Sequence, residues 1–347
     1  MSPRDGLLVL LGALLALSAF YAVLPWIVRP LFRALLSPRY GFRIVGLEHL
    51  PKSGPVVLAV NHVTWLDGFF LAASCPRRGK ALVNGGYVNY PGVRQLARRV
   101  GLVPVPYSGP SAQRAMFATC RAALDRGEVV AIFPEGQLSR NGLTGTFQRG
   151  IEIVLKGREH VPVVPVFLDN LWGSLFSFSE GRFLSKRPRG WRRTIAVAFG
   201  PPVPSPVTTF RVRQAVLAAG VRAFEQRRAP VPPLETIDPD LPHLDHPALG
   251  PLTGSTADYQ QGEVRQDGRK PGTVGQPLPG VALRVVDESG AERGPDEEGR
   301  VQALLAGRPE WVETGLIGSL DRDGFLRVVS ASTGPSPEST PDSGLDP

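Results

Sequence analysis

Val56-Val57-Leu58-Ala59-Val60-Asn61-His62-Val63-Thr64-Trp65-Leu66-Asp67 is the stretch that decides the fold. Its first five residues are apolar and mostly β-branched, with no polar alternation. That is the pattern of a strand buried on both faces. Runs of the same kind recur at 129–133, 161–167 and 194–200. Helical patterns lie between them. One begins near Ser111 as a cap, passes through Met116, Ala122 and Ala123, and stops at Gly127; another covers 210–228 with Val212, Val216, Ala219 and Ala223 on one face. Strands alternating with helices predict an α/β sandwich built on a largely parallel sheet.

The polar residues that follow the first strand carry the candidate chemistry. Ligands of such sheets bind beyond the carboxyl ends of the strands, and His62 stands at one. A neutral imidazole accepts a proton near pH 7. It does so best when a carboxylate holds its other nitrogen, and Asp67 is the nearest candidate. On an ideal helix, residues five apart differ by roughly 140°, so they share no face. The pair therefore requires His62 just before a helix and Asp67 in its first turn. A second signal, Ile132-Phe133-Pro134-Glu135-Gly136, also ends a strand. Glu135 is expected to project into the same cleft, and Gly136 to let the backbone approach a ligand. Arg140 and Arg149 follow and suit a phosphate.

Asn-His-x-x-x-x-Asp, then Phe-Pro-Glu-Gly about 70 residues later, then Val161-Pro162-Val163-Val164-Pro165-Val166, resembles the glycerolipid acyltransferase superfamily over about residues 40–229. The resemblance implies that His62 is the base, oriented by Asp67, and that an acyl group passes from a thioester to a lysophospholipid hydroxyl. Asn61, Glu135 and Gly136 then fall in the substrate site. It implies no metal, no cofactor and no covalent enzyme intermediate; the acyl donor is an acyl-carrier-protein (acyl-ACP) or coenzyme A (acyl-CoA) thioester. The stretch 167–178 looks closest to the acyltransferase part of bifunctional 2-acylglycerophosphoethanolamine acyltransferase/acyl-ACP synthetases. Two arginines common in the family are replaced by Tyr107 and Leu138. Both are thought to hold the acceptor phosphate, so a phosphodiester headgroup is favoured over a small phosphomonoester, with Arg140 as a substitute cation.

Charge and hydropathy divide the chain. Residues 1–229 hold 30 Lys and Arg against 11 Asp and Glu; residues 230–347 hold 9 against 20. A basic first part seeks an anionic partner. Residues 6–28 carry no charged side chain, long enough to cross a bilayer core of about 30 Å. Arginines follow at 29, 33, 39 and 43, which predicts an anchor in the cell inner membrane with the catalytic part on the cytoplasmic side. Membrane lipid is then the anionic partner, and no basic-aromatic interleaving suggests nucleic acid. Cys75 and Cys120 read as buried small hydrophobes.

The acidic part begins with a proline-rich stretch at 230–250, expected to be a linker. Residues 251–330 look like a small β-rich appendage, with strands expected at 281–287, 300–306 and 325–329. The runs 270–280 and 311–318 resemble adenylate-forming acyl synthetases. Only a vestigial fragment is present: a Ser/Thr/Gly-rich ATP loop is missing, and Leu316 follows Thr314-Gly315 where an aspartate usually grips the ribose. The expected organisation is an anchor at 1–36, an acyltransferase domain at 37–229, the linker, the appendage, and a disordered tail at 331–347. The rival functions are a catalytically weak, membrane-tethered protein that binds acyl carrier or lipid, and a thioester hydrolase. The hydrolase lacks a Gly-x-Ser-x-Gly elbow.

Overall fold

The computed structural model describes residues 3–88, 90–106, 109–179, 192–227 and 236–331. The apolar run at 56–60 forms β2 (Val56–Val60), a central strand in which no residue is more than 1% exposed. It belongs to a seven-stranded sheet with β1 (Tyr40–Val45), β3 (Gly79–Asn84), β4 (Leu102–Val105), β5 (Val129–Ile132), β6 (Val163–Asp169) and β7 (Arg193–Phe199). The order is β1-β7-β6-β2-β5-β3-β4. All neighbours run parallel except β6 and β7. The expected largely parallel α/β sheet is therefore present.

Alternation along β2 sorts its side chains between two layers. Val56, Leu58 and Val60 pack with Phe70 and Leu71 of α2 (Asp67–Ser74) and with Leu36, at the end of α1 (Pro3–Leu36). Val57 and Ala59 face the other way, toward α5 (Pro110–Asp125), α6 (Gly150–Leu155) and α7 (Thr209–Phe224). Two short helices, α3 (Gly85–Val88) and α4 (Val93–Arg99), lie between β3 and β4. The cap expected at Ser111 falls two residues earlier, at Gly109 with φ 95°, because Pro110 takes the first helical position. Neither cysteine forms a disulfide, both are buried, and burial pushes the Cys120 thiol up to about 11.

The N-terminal segment differs from the single spanning helix expected. Among the described residues no single helix is long and apolar enough to cross a membrane. Leu11–Leu24 and Trp26–Leu36 meet that test only together, and they join at 68°. Pro25, which has no N–H to donate to the helical ladder, stands at the break. Leu11, Leu15, Phe20, Trp26, Leu31 and Leu35 are exposed along α1.

The remainder is antiparallel. β13 (Val281–Val286), β14 (Gly299–Leu305), β15 (Val312–Leu320) and β16 (Leu326–Ala331) form a four-stranded sheet. β8 (Leu244–His246), β9 (Gly250–Gly254) and β12 (Gln276–Pro277) form a second sheet, and β10 (Tyr259–Gln261) pairs with β11 (Val264–Gln266). The stretch expected as a linker thus ends inside this unit, since β8 pairs with β9. Residues 228–235, and the expected tail beyond Ala331, lie outside the described residues.

α7 is the layer that the two parts share. Ala219 and Ala223 pack on Ala196 and Ala198 of β7, small side chains that let the helix sit close to the sheet. Leu217 and Val221 pack with Ala282 of β13 and Leu304 of β14. α7 is therefore one of the surfaces on which the C-terminal unit packs against the α/β part.

Candidate functional site

β2 ends at Val60, and α2 begins with Asp67 as its first residue. His62 lies in the connection, as the five-residue spacing required. Its Nδ1 is 2.9 Å from Asp67 Oδ2. The Asp67 side chain is fully buried, whereas that of His62 is 23% exposed. Oδ2 of Asp67 also accepts the backbone N–H groups of Val63 at 2.6 Å and Thr64 at 2.9 Å, and Oδ1 accepts the Thr64 hydroxyl at 2.5 Å. The carboxylate is thus fixed by the turn that it closes, and the imidazole is fixed in turn. Phe133 stacks on the ring with centroids 4.3 Å apart. A histidine held at Nδ1 by a carboxylate presents Nε2 as a proton acceptor.

Glu135 follows β5 in the connection to α6. Its side chain does not open into the cleft; the residue is 4% exposed. Oε1 accepts the backbone N–H of His62 at 2.7 Å, and Oε2 that of Gly145 at 2.8 Å. Ser139 of the same loop donates its N–H to the His62 carbonyl at 2.8 Å. Both backbone groups of His62 are therefore held by the 133–149 loop. Burial pushes the Glu135 carboxyl up to about 7, against the two N–H donors and the charges of His62 and Arg213.

The other expected site residues fall in different places. Asn61 is 1% exposed, and its amide bonds both backbone groups of Leu168 on β6, at 2.7 and 3.1 Å. It clamps two strands. Gly136 is exposed with φ 67°, a left-handed turn position that suits glycine. The Arg140 guanidinium lies 3.5 Å from the Phe178 ring centroid and 5.1 Å from that of Tyr259 in β10. Its pKa is lowered, chiefly by burial. Arg149 is exposed and paired with Glu152 at 3.0 Å. Leu138 is partly buried, and Tyr107 lies outside the described residues.

Three residues near the site were not singled out from sequence. Thr64 completes the Asp67 cage. Arg213 of α7 is fully buried, and burial lowers its pKa to about 10. It donates to Thr144 O at 2.9 Å and Gly145 O at 3.2 Å, directly behind Glu135. An arginine on the apolar face of an otherwise Val- and Ala-lined helix was the available signal. Gln266 of β11 reaches the loop from the C-terminal unit, and nothing local in sequence marks it.

Comparison with known proteins bears on this arrangement. Residues 41–169 match the acyltransferase family model. The matched segment contains His62, Asp67 and Glu135. The chloroplastic 1-acyl-sn-glycerol-3-phosphate acyltransferase LPAT1 of Arabidopsis thaliana is 32% identical over 147 residues, covering 42% of this chain and 41% of that protein. The chain thus spans about two fifths of that relative's length. Among solved structures, the 1-acyl-sn-glycerophosphate acyltransferase PlsC of Thermotoga maritima aligns over 61% of this chain and 84% of that one, at 18% identity and a TM-score of 0.47. The O-succinylbenzoate coenzyme A synthetase MenE of Bacillus subtilis aligns over 18% of this chain and 16% of its own, at 24% identity and a TM-score of 0.17.

The state of Glu135 sets a pH dependence of stability. Its carboxyl holds a proton more tightly folded than unfolded, where the ordinary value is 4.5. Its contribution is therefore complete below pH 4.5 and is lost as pH rises toward and through about 7. The loss is on the order of 3 kcal/mol. Glu135→Gln is expected to flatten this part of the curve. Urea unfolding of both proteins between pH 4.5 and 8 checks it; parallel curves would count against a protonated Glu135.

Proposed function

We propose that this protein is a membrane-associated acyltransferase that moves a fatty acyl group from an acyl-ACP or acyl-CoA thioester to the hydroxyl of a lysophospholipid. The observation that carries the reading is the 2.9 Å contact between a part-exposed His62 and the fully buried, multiply hydrogen-bonded Asp67. His62 takes the acceptor hydroxyl proton at Nε2 as the oxygen attacks the thioester carbonyl. The tetrahedral intermediate collapses, the C–S bond breaks, and the thiolate recovers the proton from the imidazolium. Ester and thiol leave, and the histidine is neutral again. Asp67 holds the ring in the tautomer that exposes Nε2 and stabilises the imidazolium.

The named relatives act on a 1-acylglycerol-3-phosphate, and 2-acylglycerophosphoethanolamine is the other candidate acceptor. Leu138 stands where many superfamily members carry an arginine for the acceptor phosphate, which favours the phosphodiester lipid. The domain limits proposed are those read from sequence, with the anchor at 1–36 and the acyltransferase part at 37–229. The proposed location is the inner membrane, with this part on the cytoplasmic face.

General-base catalysis contributes roughly 10²–10⁴-fold. His62→Ala is expected to lower kcat by about 10²-fold or more without unfolding the protein, and Asp67→Asn to be severe because the tautomer is wrong. Acyl transfer and circular dichroism measured together check this; near-native turnover by the His62 variant sinks the mechanism.

Deleting residues 1–36 is expected to reduce co-flotation with vesicles containing anionic lipid. The remaining binding should fall as salt rises, since the Debye length shrinks from about 10 Å at 0.1 M to about 3 Å at 1 M. Unchanged flotation would remove the anchor role.

A further inference from the structure

The loop that holds His62 is itself held by the C-terminal unit. Residues 133–149 contain no strand, and helix begins only at their end. A segment of this kind keeps its shape only through side chains that satisfy its backbone. Here two of those side chains, Gln266 and Thr236, come from beyond residue 230. Gln266, 6% exposed, accepts the Arg140 N–H at 2.7 Å and donates to Asn141 Oδ1 at 2.6 Å. Asn141 Oδ1 also accepts the Leu143 N–H, and its Nδ2 donates to Thr256 Oγ1 at 2.9 Å. The Thr236 hydroxyl donates to the Asn141 carbonyl, and Gln137 donates to the Arg265 carbonyl.

A second set of contacts supports the loop from behind. Arg213 bonds the carbonyls of Thr144 and Gly145, whose N–H in turn meets Glu135. The turn between β15 and β16 sits on this arginine. Asp321 and Asp323 of that turn, together with Glu135, favour its charge, and a Cβ at Gly324 would fall on the guanidinium. Lys270 bridges the two aspartates.

The connection to His62 is short. Gln266 fixes the N–H of Arg140, and the preceding residue, Ser139, donates to the His62 carbonyl. The His62 N–H is on Glu135. We propose that Gln266 is a positioning residue for acyl transfer: through Arg140 and Asn141 it fixes the loop that aligns His62, so the C-terminal unit completes the active site without touching substrate. The proposal rests on the acyltransferase reading above.

Gln266→Met keeps most of the side-chain volume and removes the hydrogen bonds to Arg140, Asn141 and Leu143. Val301→Ala is the comparison; Val301 is fully buried in β14, inside the four-stranded sheet. Both are made in the full chain and measured three ways: thermal unfolding, kcat and KM, and amide hydrogen exchange over 58–64 and 134–149. Palmitoyl-coenzyme A with 1-acylglycerol-3-phosphate or 2-acylglycerophosphoethanolamine serves as the substrate pair. Misplacing a reacting group by a fraction of an ångström to 1 Å costs about 10- to 100-fold in rate. Gln266→Met is therefore expected to lower kcat by about tenfold or more, with KM changed by less than about threefold, and to speed exchange in both segments. Val301→Ala is expected to lower the melting temperature at least as much while keeping kcat and slow exchange there. Unchanged kcat and exchange in Gln266→Met, or equal loss of kcat in both variants, overturns the proposal. If the wild type transfers no acyl group, the functional reading fails, and the exchange pattern alone decides whether Gln266 holds the loop.

Discussion

The Glu135 carboxylate ties the ends of two strands together, and the site depends on that tie. One oxygen holds the His62 N–H beyond β2, and the other holds the Gly145 N–H in the loop after β5. A parallel sheet brings such strand ends to one edge but leaves their connections irregular, with unpaired backbone groups. A buried carboxylate accepting two N–H groups converts that irregularity into fixed geometry. Asp67 repeats the device across the β2–α2 connection. The imidazole between them therefore moves with neither loop independently.

Burial sets the cost. A carboxylate removed from water must be hydrogen-bonded or neutralised. Asp67 meets this with two backbone N–H groups, a hydroxyl and the imidazole. Glu135 has fewer donors, and its raised pKa records the shortfall. Arg213, buried behind it, answers in part, and Arg213 in turn needs the aspartates of the C-terminal turn. Arg213 of α7 thus stands between the Glu135 carboxyl and the aspartates of the β15–β16 turn.

Sequence carried the local features and missed the distant ones. Uninterrupted apolar runs announced β2, β5, β6 and β7, because strands buried on both faces need no polar alternation. β1, β3 and β4 went unread; their residues are mostly only partly buried, as the burial along β3 shows, and their runs are mixed. The His62–Asp67 spacing predicted its own geometry, since a helix start allows what a helix interior forbids. Glu135 was found, but its direction was not: whether a strand-end carboxylate faces a cleft or a backbone depends on donors far along the chain. Asn61 and Arg140 illustrate the same limit, because their partners are Leu168, Phe178 and Tyr259. The 68° bend near Pro25 has a local cause, since a proline removes one N–H from the helical ladder.

In the proposed reaction a thioester acyl group is passed to a lipid hydroxyl rather than to water. The direct measurement supplies the purified full chain with a labelled acyl thioester and a lysophospholipid in mixed micelles, without ATP, and follows free thiol and diacyl lipid together. Equal amounts of thiol and diacyl product are expected, both dependent on the lysophospholipid. Thiol released as free fatty acid, or no turnover with any lysophospholipid tested, would contradict it.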